Sequence, residues 1–285
     1  MTAEIDITLV PRSLVWATDV DTLPPDRVVE RRGEYLLIRS PSNPTFYWGN
    51  LLLFDEAPRE GDGERWEALF EREFADEPRV RHHSFAWDLA HGEAGAAREE
   101  FVERGYELDE SIGLVADASQ VLPHPRENRD VAVRALDPAV GADEGLWEAV
   151  LELQVAGRQE GHDEESFRDF ARPRLEDRRA LFRLGRGAWY VALDPASGAV
   201  AASCGIVVTE GRGRFQVVDT ALAFRRRGIC SRLVVEAARH SAEAHGAERF
   251  VIVADLGYHA LGLYESLGFE RREHVVGVCR WPRSG

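Results

Sequence analysis

In the second half of the chain, short apolar runs alternate with a segment whose apolar residues recur at helical spacing. The apolar runs have the length of buried strands and cover residues 188–193, 200–209, 214–220 and 249–255. Residues 231–242 predict an amphipathic helix that Gly246 ends. A helix over 258–267 and a strand over 275–281 follow. The resulting order is strand, strand, strand, helix, strand, helix, strand, which predicts an α/β domain.

A basic, glycine-containing turn joins the third of these strands to the long helix. It reads Phe224-Arg225-Arg226-Arg227-Gly228-Ile229-Cys230-Ser231. The first amides of a helix have no partner within the helix, and the helix dipole adds positive charge, so such a turn favours anions. Gly228 has no Cβ, which would let a phosphate approach the backbone. The turn therefore predicts a pyrophosphate site, whereas a solvent-facing arginine run is the alternative.

Two motifs in this order resemble those of the GNAT superfamily of acyl-CoA-dependent acyltransferases. Its pyrophosphate loop, Arg/Gln-x-x-Gly-x-Gly/Ala, is matched by Arg225 and Gly228, with Cys230 at the last position. The second motif is Asn-x-x-Ala-x-x-Leu-Tyr-x-x-x-Gly-Phe, and Gly257 stands at the position of its asparagine. The resemblance covers residues 130–285 and implies a mixed, mostly antiparallel twisted sheet flanked by helices, an α/β fold that some schemes class as α+β. The second motif is matched by Ala260, Leu263, Tyr264, Gly268 and Phe269.

The resemblance also implies a co-substrate, acetyl-CoA, and the residues that would bind it. Val218 and Thr220 would pair with the pantetheine arm through their backbone groups, and Tyr264 would protonate the departing thiolate. Candidates for the base are Asp219, Glu210 and His162. The three cysteines lie far apart, so no metal site is predicted. The pyrophosphate would bind Arg225, Arg226, Arg227, Gly228, Ile229, Cys230 and Ser231.

The first 120 residues resemble a degenerate copy of the same fold. Phe101 to Tyr106 repeats the spacing of Tyr264 to Phe269, with an aromatic residue four positions before a glycine. The loop that corresponds to the basic turn, residues 55–64, instead carries five carboxylates and Pro58. Such a loop repels a pyrophosphate, so this half is not expected to bind the cofactor. An unrelated α+β domain is the alternative. The predicted domains are 1–121 and 129–285, with a linker over 122–128.

Composition narrows the functional classes. The formal net charge is −15, which argues against nucleic-acid binding and is compatible with an amine substrate. No apolar stretch approaches a membrane span and no secretory leader is visible, so a cytoplasmic protein is expected, as a monomer or homodimer. The predicted function is an N-acetyltransferase that acts on a primary amine of a small molecule or peptide. A non-catalytic acyl-CoA-binding sensor or interaction module remains the alternative.

Overall fold

The computed structural model describes residues 9–158, 163–257 and 260–281. These residues form two compact units. The first contains residues 9–113, 254–257 and 272–281, and the second contains 114–158, 163–253 and 260–271. Within the described residues, no helix combines the length and the apolar composition that crossing a membrane requires.

The first unit combines short helices with strands, and the chain's last strand belongs mostly to it. The strand Glu107–Asp117 contributes residues 107–113 to this unit, and the last strand, Glu270–Arg280, enters it at residue 272. The elements are α1 (Leu14–Asp21), β1 (Val28–Arg32), β2 (Tyr35–Arg39), β3 (Leu51–Phe54), α2 (Asp62–Glu73), β4 (His83–Trp87), α3 (Glu100–Glu103), β5 (Glu107–Asp117) and β11 (Glu270–Arg280).

The sheet of the first unit has the strand order β1-β2-β3-β4-β11-β5. Strands β1 to β3 pair antiparallel, β3 and β4 pair parallel, and β4 and β11 pair antiparallel. An aromatic core covers one face: the ring of Trp66 on α2 stacks on Phe54 with ring centroids 3.6 Å apart. Residues 47–49 form a 3₁₀ turn, and β3 begins at Leu51.

The second unit contains the longer helices. Pro173 lies inside its longest helix, α5. The elements are β6 (Ala132–Ala135), α4 (Glu144–Ala156), α5 (Glu164–Arg183), β7 (Gly187–Leu193), β8 (Val200–Thr209), β9 (Arg212–Thr220), α6 (Ile229–His245), β10 (Arg249–Asp255) and α7 (Leu261–Ser266).

The sheet of the second unit has the strand order β10-β9-β8-β7-β6. Strands β6 to β9 form antiparallel pairs, and β9 pairs parallel with β10. The register of β8 and β9 shifts between Ser203 and Gly205, so that Val217 and Val218 together oppose one residue of β8. This β-bulge bends β9 just before the basic turn.

The two units share their strand pattern and one local motif. Each contains two antiparallel pairs followed by a parallel pair with a helix between the parallel strands. Gly105 and Gly268 both have positive φ, 84° and 98°. The residue after each glycine donates its amide to the carbonyl five residues earlier, in the pairs Tyr106 to Phe101 at 3.0 Å and Phe269 to Tyr264 at 3.2 Å. The predicted repeat is therefore visible in the backbone as well as in the sequence.

The compact units do not follow the linear division into 1–121 and 129–285. The difference arises because β11, which comes last in the chain, pairs with β4, so that Val278 lies opposite Phe85. Hydrogen-bonded register between strands leaves no trace in a linear pattern of apolar residues. Independent folding of the two predicted domains remains a prediction.

Candidate active site

The basic turn lies between β9 and α6, as the sequence predicts. Arg226 and Gly228 both adopt left-handed backbone conformations, with φ of 58° and 72°. The side chains of Arg225, Arg226 and Arg227 are exposed. The Nε of Arg225 donates to the carbonyl of Thr220 at 3.2 Å, which fixes the first arginine against the end of β9.

The turn presents a run of backbone amides to its surroundings. Within the described residues, no hydrogen bond uses the amides of residues 226–231. Helix α6 begins at Ile229, and its length of 17 residues gives it a full macrodipole. Six successive free amides at a helix N-terminus, beside three exposed guanidinium groups, form a strong anion-binding arrangement.

Gly228 packs closely against another backbone segment. A Cβ at this position would lie 2.1 Å from the carbonyl oxygen of Arg126, and the amide of Asn128 donates to the Gly228 carbonyl at 3.0 Å. The space that a side chain would take is therefore filled by the segment that precedes β6. The glycine is required for this backbone packing and for its positive φ, and its part in binding a phosphate stays a prediction.

Strands β9 and β10 pair only at their beginnings. The parallel register runs from Arg212 opposite Arg249 to Arg214 opposite Val251 and goes no further among the described residues. Val217 in the bulge has φ of 43°, a strained conformation for a β-branched residue. The strand edge that carries Val218 and Thr220 is therefore available to an added extended chain.

A cavity of about 350 Å³ lies beside the bulge, between helices α4 and α5 and the sheet. Its polar lining includes Asp219 and three arginines, and half of its apolar lining residues are aromatic. The lining residues are Gln154, Gly157, Arg158, Phe167, Phe170, Ala171, Arg174, Leu175, Arg178, Trp189, Gln216, Val217 and Asp219.

Asp219 lines this cavity, and the pKa of its carboxyl is shifted from its ordinary value. Burial raises the pKa of its carboxyl to about 6, against the smaller opposing effect of Arg225. A carboxylate with a pKa near 6 is ionised at neutral pH and still basic enough to take a proton from an ammonium group. Of the two predicted base candidates within the described residues, Asp219 is the one that the structure brings between the cavity and the basic turn.

Tyr264 lies on α7 and is 3 % exposed. Its amide bonds to the carbonyl of Ala260 at 3.2 Å, which gives the helical spacing that the sequence predicts. Its ring contacts Phe269, and Phe269 contacts Phe215 on β9, with ring centroids 6.5 and 6.1 Å apart. The aromatic contacts thus connect the tyrosine to the strand that carries Asp219.

Glu210, the second base candidate within the described residues, is not brought to this site. Glu210 lies in the β8–β9 hairpin, at the opposite end of β9 from Asp219, where it pairs with Arg212 at 3.4 Å. His162 lies outside the described residues. The described part of the chain also contains no cluster of three histidine, cysteine or acidic side chains that could hold a metal ion.

The three remaining loop residues anchor the start of α6. Ile229 and Ser231 are buried, and the Ser231 hydroxyl donates to the Gly228 carbonyl at 3.3 Å. Burial raises the pKa of the Cys230 thiol to about 11, while a hydrogen bond with Thr220 opposes the rise. Cys230 is therefore a neutral thiol at physiological pH and is not activated as a nucleophile.

The corresponding place in the first unit is built differently. The amides of Gly61 and Gly63 at the start of α2 both donate to the Glu100 carboxylate at 2.8 Å. The parallel register of β3 and β4 runs to the end of β3, where Phe54 lies opposite Trp87. The anion position is thus occupied by the chain's own carboxylate, and the two strands do not separate.

The sequence did not reveal the arginines of the cavity. The cavity face of α5 has the spacing of a core-facing stripe, in which Arg174 and Arg178 replace apolar residues. Two arginines within an otherwise apolar stripe were the sequence feature that could have indicated a cavity on this face of the helix. Gln154 was missed too: it is buried, lines the cavity, and its Nε2 has no hydrogen-bond partner among the described residues.

Comparison with known proteins identifies the fold. Residues 196–278 match the family model described as FR47-like protein, and no curated protein matches the chain. A functionally unknown conserved protein from Staphylococcus epidermidis is 14 % identical, with a TM-score of 0.71 over 90 % of this chain and 94 % of that one.

Two further solved structures carry the name of the GNAT fold family in their descriptions. A GCN5-related N-acetyltransferase from Kribbella flavida is 18 % identical, with a TM-score of 0.60 over 91 % of this chain and 90 % of its own. A tandem GNAT protein from the clavulanic acid biosynthesis pathway is 16 % identical, with a TM-score of 0.57 over 98 % and 92 %. The predicted resemblance is therefore confirmed, and the chain has the fold of the GCN5-related N-acetyltransferases.

Proposed function

We propose that the protein is an N-acyltransferase that transfers an acetyl group from acetyl-CoA to a primary amine. The observation that carries this proposal is the run of amides over residues 226–231, which make no hydrogen bond within the described residues, a few residues after a strand whose pairing with its parallel neighbour ends at Arg214. The run of amides suits a pyrophosphate, and the open strand edge beside it suits an extended amide-containing arm.

The described residues fit acetyl-CoA in two places. The amides over 226–231 and the arginines Arg225 to Arg227 would hold the pyrophosphate. The backbone of Val218 and Thr220 would hydrogen-bond to the pantetheine arm. Acetyl-CoA supplies the acetyl group and a thiolate leaving group. In the first unit, the Glu100 carboxylate fills the equivalent helix terminus, so one cofactor site per chain is proposed.

Asp219 and Tyr264 would carry the proton transfers. Asp219 takes a proton from the acceptor's ammonium group, and the resulting amine attacks the thioester carbonyl carbon. The carbon–sulfur bond breaks as the new carbon–nitrogen bond forms, and Tyr264 protonates the departing thiolate. The second proton of the nitrogen restores the Tyr264 phenol, and Asp219 releases the first proton to solvent. The products are an N-acetyl amine, free CoA and one released proton.

The test measures thiol release from acetyl-CoA with a panel of primary amines. Tyr264→Phe keeps the ring and its packing, so CoA affinity should stay within about twofold while turnover falls about 10- to 10⁴-fold. A non-catalytic acyl-CoA sensor would bind CoA and give no acetylated product with any amine of the panel. Wild-type turnover in Tyr264→Phe would remove the tyrosine from the mechanism and leave the transferase assignment in place.

A further inference from the structure

The cavity brings guanidinium groups close to Asp219. Among the described residues, the ionisable groups that line it are Asp219 and the three arginines Arg158, Arg174 and Arg178, and Arg158 is paired with Glu164. An amine acceptor alone would need only Asp219. A guanidinium group has five N–H donors, so the arginines of the lining can donate charge-assisted hydrogen bonds to an anionic group of a ligand in addition to their contacts within the protein.

Two of the arginines come from one helix. Arg174 and Arg178 are four residues apart, so both lie on the face of α5 that also carries Ala171 and Leu175. Arg178 is 4 % exposed, and its Nε donates at 3.0 Å to the side-chain oxygen of Gln216. The neighbouring β9 residue thus orients this guanidinium.

The remaining lining suits an apolar group of the ligand. Phe167, Phe170 and Leu175 line the cavity from α5, and the guanidinium of Arg174 lies over the Phe170 ring, 5.1 Å from its centroid. The buried Nε2 of Gln154 has no hydrogen-bond partner among the described residues and can donate to a ligand oxygen. A volume of about 350 Å³ suits a small molecule rather than a folded chain terminus.

We propose that the acceptor is a primary amine that carries a carboxylate beside it and an apolar side group, as a hydrophobic α-amino acid does. Its amino group lies toward Asp219, its carboxylate toward Arg174 and Arg178, and its side group against the phenylalanines of α5. This inference rests on the proposed function, because it assigns the acceptor of the same site.

A binding experiment tests the acceptor class without turnover. The ligands are N-acetyl-L-phenylalanine and N-acetylphenethylamine, which differ by the carboxylate, titrated calorimetrically into the full chain with saturating CoA. We expect the acid to bind at least about tenfold more tightly, the effect of one charge-assisted contact. In Arg174→Gln and in Arg178→Gln this preference should fall below about threefold. Arg172→Gln, on the same helix but paired with Glu148 outside the cavity, should keep it.

A kinetic experiment on the free amines separates the two proposals. L-phenylalanine should show a kcat/KM at least about tenfold above that of phenethylamine, and Arg174→Gln should raise KM for the amino acid alone. Equal binding of the two acetylated ligands, or equal loss of both in Arg174→Gln, overturns the acceptor class while acetylation of simple amines upholds the transferase. Preferential binding of the acid with no acetyl transfer to any amine upholds the carboxylate site and overturns the transferase. Loss of fold in Arg178→Gln leaves the decision to Arg174→Gln, whose side chain is only half-buried.

Discussion

The carboxylate of Glu100 accepts a hydrogen bond from the backbone amide of Gly61 at 2.8 Å, at the place in the first unit where the second unit has amides that make no hydrogen bond to any described residue. Gly61 is the residue before α2, as Gly228 is before α6, and both have positive φ, 88° and 72°. The two halves therefore have a glycine with positive φ at the same place, and they differ in which group accepts hydrogen bonds from the amides at the start of the helix. In the first half, an internal carboxylate replaces an external anion.

Replacing Glu100 should destabilise the first unit without creating a second cofactor site. Glu100→Ala removes a carboxylate that holds two helix N-terminal amides, and such caps are worth about 1–2 kcal/mol. The urea midpoint of unfolding should fall, whereas Glu103→Ala, an exposed change on the same short helix, should leave it unchanged. Calorimetry should still give one CoA site per chain. A second site in Glu100→Ala would show that the carboxylate alone blocks cofactor binding in this half.

Gly228→Ala should cost more stability than the left-handed conformation alone explains. Gly228 and Gly246 flank the same helix with φ of 72° and 69°, but a Cβ meets the Arg126 carbonyl at 2.1 Å at Gly228 and nothing within 4 Å at Gly246. Gly246→Ala should therefore cost about 1 kcal/mol and Gly228→Ala clearly more. Comparison of the two unfolding free energies isolates the contact with the Arg126 segment. Equal costs would show that this segment moves away freely.

Removing one arginine of the turn should weaken CoA binding in a salt-dependent way. Arg225→Gln deletes a charge next to the free amides, and a charge-assisted phosphate contact is worth about 1–2 kcal/mol, or about 5- to 30-fold in Kd. Arg239→Gln provides the control, because Arg239 is on the same helix but pairs with Glu236 and Glu243 on its exposed side. Isothermal titration at low and at high salt measures the Kd of CoA for both variants. Equal affinities in the two variants would place the pyrophosphate elsewhere.

The sequence predicted the parts of the site that depend on local pattern. The strand, basic turn and helix around Gly228 are contiguous, and each has its own periodicity or turn signal. The sequence therefore predicts their order and the anion-binding character of the turn. The same holds for Tyr264, whose spacing to Gly268 and Phe269 reappears in the backbone hydrogen bonds. Local backbone geometry of this kind is determined by residues within a few positions of one another, so a sequence pattern can predict it.

What the sequence could not show depends on distant pairings. The contact of Gly228 with Arg126 spans about a hundred residues, and nothing near either residue indicates it. In the sequence, Arg174 and Arg178 only interrupt an apolar stripe of α5. The structure shows that this face of α5 lines a cavity that Asp219 also lines. The bulge at Val217 is likewise a property of the register between two strands and has no residue signature of its own.

Activity should fall on acidification as Asp219 gains its proton. The buried carboxyl has a pKa of about 6, and only its ionised form can accept a proton from the acceptor. The kcat/KM for a primary amine should therefore drop about tenfold per pH unit below pH 6. Asp219→Asn should lower kcat/KM about 10²- to 10⁴-fold and abolish this inflection. An unchanged inflection near pH 6 in the variant would assign it to another group.

The same substitution should make the protein more stable at alkaline pH. The folded-state pKa of Asp219 lies above its ordinary value of 3.8, so folding opposes ionisation: the cost is absent below pH 4, grows through pH 6, and is fully present above it. Asp219→Asn removes that cost, and at pH 8 should raise the unfolding free energy by about 1–3 kcal/mol. Asp143 gives a control of opposite sign, because Arg134 lowers its pKa to about 2, so Asp143→Asn should destabilise above pH 4. Urea unfolding at pH 4.5 and pH 8 measures both differences, and a destabilised Asp219→Asn at pH 8 would mean that the carboxylate is a structural anchor rather than a strained catalytic group.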